Sequence, residues 1–176
     1  MAATPDFSGY AFISIGANLP SGAGDPIDTI MAVFSKLEHL SRDEILRSSI
    51  YMTSPVDSPA GTPDFYNAMA GIIPEDKETP ISLLHKLQAM EDAAGRTRSG
   101  IRNEARTLDL DLVLFGAHSV DTAELTLPHP RATSRKFVME PLAELAGNDF
   151  EFPGTAMTVA DIMDGIGGQS VQKLGK

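Results

Sequence analysis

The segment RTLDLDLVLFG (106–116) constrains the fold more than any other stretch of this chain. Leu108, Leu110, Leu112 and Leu114 recur at every second residue, a period that belongs to a strand and not to a helix. Four leucines then share one face, and Thr107, Asp109, Asp111, Val113 and Phe115 share the other. The chain must therefore build a sheet packed against an apolar layer, with two carboxylates on one side, their Cα atoms about 7 Å apart. Like charges at that spacing repel unless a cation lies between them or arginines surround them. Spacing alone leaves two readings open. One is a Mg²⁺ site, because this ion takes one or two protein carboxylates and completes its shell with phosphate and water. The other is a solvated strand end salt-bridged to Arg102 or Arg106.

The remaining elements follow from periodicity and punctuation. YAFISIGANL (10–19) reads as a buried strand. A helix follows, with Asp25 as N-cap, Pro26 in the first turn, and Ile27, Ile30, Met31, Phe34 and Leu37 as its apolar stripe. RSSIYMTSPV (47–56) reads as a second strand running into a stiff loop set by Pro55, Pro59, Gly61 and Pro63. FYNAMAGII (65–73) is a third strand. A second helix starts at Thr79–Pro80, carries Leu83, Leu84, Leu87 and Met90, and stops at Gly95. After the segment 106–116 come a short strand in LTLPHPR (125–131) and short helices in PLAELA and TVADIMDGI. The order β-α-β-β-α-β plus a C-terminal extension is the ferredoxin-like pattern, in one α+β domain over residues 1–176.

Charge narrows the possible ligands. The net charge is −10, which argues against a nucleic-acid binder held by bulk electrostatics. Yet half of the 14 basic residues lie between 96 and 136, among them Arg96, Arg98, Arg102, Arg106, Arg131 and Arg135. A local arginine cluster in an acidic chain suits a small anionic ligand; a solvated basic loop is the plainer alternative. Gln88 and Glu91 stand three apart on the second helix and could face one ligand. His129 is held between Pro128 and Pro130, which restrict its backbone, and is the best functional candidate of four histidines. Phe65 and Asn67 share a strand face, where an aromatic and an amide could clamp a flat heterocycle. There are no cysteines, and the histidines are not spaced as a zinc set. No P-loop, GxGxxG or GxSxG pattern is present. With no signal-peptide pattern and no apolar run of membrane-spanning length, a cytoplasmic monomer acting on small molecules, without nucleic acid or membrane, is the expectation.

Taken in order, YMTSP…PDFYNA, RTLDLDLVLFG, LTLPHPR and RKFVMEPL resemble the 6-hydroxymethyl-7,8-dihydropterin pyrophosphokinases of folate biosynthesis, over about residues 10–145. The resemblance implies a three-layer αβα ferredoxin-like sandwich with a mostly antiparallel sheet. It also implies transfer of the β,γ-pyrophosphoryl group of ATP to the pterin hydroxymethyl group, with release of AMP. By motif, Asp109 and Asp111 are similar to the ligands of two Mg²⁺ ions, and Arg96 and Arg106 to the catalytic arginines. Gln88, Glu91, Arg98, Thr126, His129 and Arg135 fall on the ATP side. Thr53, Pro55, Val56, Phe65, Asn67 and Phe137 fall on the pterin side, the two phenylalanines stacking on the ring. The chain departs from relatives that carry lysine at Ser99, tryptophan at Asn103, proline at Ala105 and tyrosine at Phe65. Without the resemblance, charge and spacing also allow a nucleotide-binding regulatory module or a Mg²⁺-dependent phosphohydrolase.

Overall fold

The computed structural model describes residues 5–55, 58–101 and 104–175. Val56, Arg102 and Asn103, named above, lie outside them. The elements run β1 (Ala11–Ala17), α1 (Pro26–Glu38), β2 (Leu46–Arg47), β3 (Ile50–Thr53), β4 (Phe65–Ile72), α2 (Pro80–Ala93) and β5 (Asp109–Phe115). They continue with β6 (Val120–Asp121), β7 (Thr126–Leu127), a 3₁₀ turn (Ala132–Ser134), α3 (Lys136–Ala146), β8 (Glu151–Phe152), β9 (Met157–Thr158), α4 (Val159–Asp164) and β10 (Val171–Gly175). The main sheet has the order β10-β3-β4-β1-β5, with β2 also on β4, and these pairings are antiparallel. Helices cover both faces, which gives the expected αβα layering.

One face carries Ile13, Ile15, Ala68, Ala70, Leu110 and Leu112 and packs on α1 and α2 through Ile30, Phe34, Leu37, Leu83 and Leu87. The other carries Phe12, Met69, Val113 and Leu114 and packs on α3 and α4 through Val138, Met139, Leu142, Val159 and Ile162. Each fully buried aliphatic side chain contributes about 1.5–3 kcal/mol. Both long helices start at reciprocal caps: Asp25 accepts from Asp28 N–H at 2.9 Å, and Thr79 from Ser82 N–H at 3.1 Å.

Several local expectations are corrected. The four leucines do not share a face. The register between β1 and β5 shifts between Phe12 and Ile13, so Ile13 opposes Leu112 while Phe12 opposes Leu114. Val113 is the extra residue, and after this bulge Leu114 joins the second core. The bulge also leaves the Val113 carbonyl available to accept the His129 N–H at 3.0 Å. On α1, Ile27 and Met31 are exposed, and Val33 fills the buried stripe instead. The strand expected over 47–56 is broken at Ser48–Ser49, where the Ser48 hydroxyl accepts from Met69 N–H at 2.8 Å. The helix expected at PLAELA starts at Lys136, with Pro141 inside it. The strand in LTLPHPR is only Thr126–Leu127, and the C-terminal extension adds β10 to the sheet edge beside β3.

Candidate active site

The site lies on the second face of the sheet, beside the N-terminus of α3, whose N-cap residue Arg135 reaches Asp111. Three strands place its floor side by side: Gly16 of β1 is paired with Asn67 of β4 and with Asp109 of β5. In the next row on this face, Ser14 stands between Met69 and Asp111. Antiparallel partners point the same way, so Asn67, Asp109 and Asp111 share one surface. Gly16 keeps the middle of it low. A Cβ there would come within 3.3 Å of Asn67 Oδ1.

Arginines ring the acids. Arg96 Nη1 donates to Asp109 Oδ1 at 2.5 Å and to Glu91 Oε1 at 2.7 Å. Arg106 Nη1 lies 3.1 Å from Asp109 Oδ2. Glu91, on α2, is almost wholly buried; it also accepts from the Leu110 N–H at 2.8 Å and from Arg98. One buried carboxylate thus fixes two arginines and the β5 backbone together. Burial pushes the Glu91 carboxyl up, against the Leu110 hydrogen bond and the two arginines. Burial works against the charge on Arg96 too, but Asp109 and Glu91 outweigh it and hold its pKa above the usual value.

Asp111 is less well compensated. Its contacts are Arg135 Nη1 at 3.6 Å and His129 Nε2 at 3.8 Å, both too long for good hydrogen bonds. Burial, and next the Asp109 charge, push it up to about 7. His129 is pushed down to about 4 by burial and then by Arg135 and Arg131, so it is neutral at pH 7. Its Nδ1 accepts the Arg131 N–H at 3.2 Å, which leaves the proton on Nε2, facing Asp111. Burial lowers Arg135, and Asp111 opposes that shift.

Among the pterin-side candidates, Thr53, Phe65 and Asn67 adjoin one another on β3 and β4. Asn67 Nδ2 donates to Thr53 Oγ1 at 3.1 Å. The Arg106 guanidinium lies over the Phe65 ring at 5.7 Å, and that of Arg135 over Phe137 at 5.6 Å. Each aromatic is therefore coupled to an arginine that reaches an aspartate. Pro55 is half-buried beyond β3, Gln88 is exposed on α2 one turn before Glu91, and Thr126 lies on β7 opposite Asp121. Among the described residues, none of these three forms a hydrogen bond or ion pair with the acid and arginine cluster.

Asn18 did not emerge from the sequence. Its Nδ2 donates to the Pro63 carbonyl at 3.1 Å and its Oδ1 accepts the Arg106 N–H at 2.7 Å, so it ties the proline loop to the arginine loop. The sequence shows only a polar residue at the end of an apolar run, and that it is 3 % exposed emerges only in the fold.

The chain is similar to known proteins. The profile of the 7,8-dihydro-6-hydroxymethylpterin-pyrophosphokinase family matches residues 12–147. The chain is 35 % identical over 138 residues to the 2-amino-4-hydroxy-6-hydroxymethyldihydropteridine pyrophosphokinase of Haemophilus influenzae, covering 78 % of this chain and 82 % of that one. It is 36 % identical over 136 residues to the enzyme of the same name from Pseudomonas aeruginosa, covering 77 % and 79 %. Among solved structures, a triple mutant of Plasmodium falciparum HPPK-DHPS crystallised with pteroate superposes with a TM-score of 0.63 at 13 % identity. That match covers 88 % of this chain and 42 % of the other, so this chain spans less than half of that protein and the likeness bears on the fold alone. With the family profile spanning most of its length, the chain belongs to the 7,8-dihydro-6-hydroxymethylpterin-pyrophosphokinase family.

Proposed function

We propose that this chain, as one domain over residues 1–176, transfers the β,γ-pyrophosphoryl group of ATP to the hydroxymethyl group of 6-hydroxymethyl-7,8-dihydropterin. The hydroxymethyl oxygen forms a bond to the β-phosphorus and loses its proton to solvent. The bond from that phosphorus to the α-phosphate oxygen breaks, and AMP leaves with the electron pair. The observation that carries this reading is the pair Asp109 and Asp111 on one sheet face, bordered by Arg96, Arg106, Arg135 and neutral His129.

Phosphoryl transfer of this kind depends on positioning and charge neutralisation more than on a strong base. Arg96, Arg106 and Arg135 cover phosphate oxygens in this reading as charge moves toward AMP. Glu91 acts through them: with its own oxygens engaged, it orients Arg96 and Arg98 toward the nucleotide. His129, fixed by the Arg131 amide, offers its Nε2–H as a neutral donor. Asn67, Thr53 and the rings of Phe65 and Phe137, with Pro55 and Val56, form the pterin side. Gln88 and Thr126 belong to the outer ATP side.

The donor set fits Mg²⁺: two carboxylates on a rigid strand, one of them, Asp111, short of positive partners in the protein. Two ions bound through Asp109 and Asp111 would supply neutralisation of the polyphosphate and activation of the hydroxymethyl group. The loops over 53–64 and 96–106 close over both substrates and exclude water. Their shared anchor at Asn18 supports joint movement, and hydrogen exchange in both loops should slow when ATP analogue and pterin bind together. Among the described residues no helix is long and apolar enough to cross a membrane; a cytoplasmic monomer is the setting of this reading.

Incubation with ATP, Mg²⁺ and the hydroxymethyl dihydropterin should produce AMP and a pterin diphosphate in equal amounts. Phosphate release that does not need pterin, or ATP binding with no AMP formed, would overturn the assignment.

A further inference from the structure

The family match ends at residue 147, but the chain beyond it returns to the site. Arg135 is the N-cap residue of α3, with φ −120° and ψ 108°, and its side chain makes no capping hydrogen bond. Ser, Thr, Asp or Asn ordinarily serves at this position by bonding the first free amides of the helix. The side chain of Arg135 is committed elsewhere, toward Asp111 at 3.6 Å and over Phe137.

The missing cap comes from 33 residues downstream. Gln169 Oε1 accepts the Lys136 N–H at 2.9 Å, and Gln169 Nε2 donates to the Ser134 carbonyl at 2.8 Å. One amide side chain therefore grips the peptide groups on both sides of Arg135. Its orientation is unambiguous, because the oxygen meets a donor and the nitrogen an acceptor. The segment that carries Gln169 is anchored in turn. Two residues later, Val171 pairs with Thr53, and Lys173 Nζ lies 3.9 Å from Glu144 Oε1 on α3.

We propose that Gln169 is a positioning residue for the nucleotide: it caps α3 in place of Arg135, so that the N-cap position can carry a guanidinium aimed at the phosphate site. This rests on the reading of Arg135 as a phosphate-binding residue. Gln169 touches no reacting group. Its effect passes through the φ and ψ of Arg135, where a small rotation at Cα moves the guanidinium by a large arc.

The test is a double-mutant cycle on the full chain, with affinity for a non-hydrolysable ATP analogue in Mg²⁺ as its readout. Gln169→Leu keeps the bulk and removes both hydrogen bonds. It should weaken analogue binding about tenfold, raise the KM for ATP in step, and leave binding of pterin alone within twofold. In an Arg135→Ala background the same change should have no further effect on analogue binding. Gln169→Glu keeps the acceptor for Lys136 N–H and should fall between wild type and Gln169→Leu; it serves for the whole cycle if Gln169→Leu does not fold. Equal losses for ATP and pterin, or a Gln169 effect undiminished in the Arg135→Ala background, would reduce Gln169 to a structural cap and overturn the proposal. So would unchanged analogue binding. Wild-type AMP formation is measured alongside: its absence would count against the function, whereas its presence with an unaltered Gln169→Leu variant would count only against this inference.

Discussion

Replacing Asp111 by asparagine should make the metal-free protein more stable while removing its activity. Asparagine has the shape of the protonated aspartate and none of its charge, so the gain is tied to what ionisation of Asp111 costs the folded chain. The carboxyl titrates near 3.8 when unfolded and is pushed up to about 7 in the fold, by burial first and by Asp109 second. The attraction of Arg135 is already contained in that shift. The sign follows from linkage: a carboxyl whose folded pKa is raised binds its proton more tightly in the native state. Folding is then progressively penalised as pH rises from about 4 to about 7, and the full penalty applies above that. A shift of this size in a fully dry site would correspond to about 4 kcal/mol. Asp111 keeps 31 % of its side-chain surface open, and solvent screening reduces the figure to about 1–2 kcal/mol. For a chain of this length that is about 2–8 °C in Tm. Melting in EDTA at pH 8 and pH 5 is the assay. The variant should melt higher at pH 8, with roughly half that advantage or less at pH 5. Millimolar Mg²⁺ with an ATP analogue should stabilise the wild type more than the variant. A variant no more stable than wild type at pH 8, or a gain independent of pH, would refute the reasoning.

Asp109→Ala should fold and bind pterin but form no detectable AMP, as measured by chromatography of a reaction with Mg-ATP. Glu91→Ala leaves the Leu110 N–H and two guanidinium groups without their shared acceptor; urea melts should show a loss of about 3–5 kcal/mol. Glu91→Gln, which keeps an acceptor for that amide, should lose about 1–2 kcal/mol. Gly16→Ala puts a methyl within 3.3 Å of Asn67 Oδ1 and should raise the pterin KM about tenfold while Tm moves only slightly, a split that steady-state kinetics with both substrates would reveal.

How much of this was legible in the chain depended on how locally each feature is encoded. The helix caps at Asp25 and Thr79 are contacts between residues three apart, and they stand where expected. The aspartate pair was legible because strand alternation is a local rule, and it holds from Leu108 to Leu112. It fails at Val113 because a bulge is set by the partner strand, and β1 is far away in the chain. The start of α3 at Lys136 was hidden by Pro141, which reads as a helix boundary although it sits inside the helix. Asn18 and Gln169 were invisible for a common reason. Each serves backbone groups, 88 residues away for the Asn18–Arg106 bond and 33 for Gln169–Lys136, and any residue type can present a backbone amide. Grouping of the site residues by substrate rested on resemblance; the arginine–carboxylate geometry supports the nucleotide half of that grouping more directly than the pterin half.

The row Asn67–Gly16–Asp109 has a consequence for how the molecule comes into being. Its members are roughly fifty and ninety residues apart along the chain, so loop closure must precede any gain from bringing them together. No hairpin, and no helix with its neighbouring strand, contains the floor of the cleft. During synthesis β1 emerges early and stays without one of its two partners until β5 has left the ribosome. Catalytic competence therefore cannot accumulate piecemeal in this fold. It requires the pairing of β5 on β1, which makes β5 the outer strand of the sheet, and then the arrival of His129 and Arg135, which follow β5 in the chain.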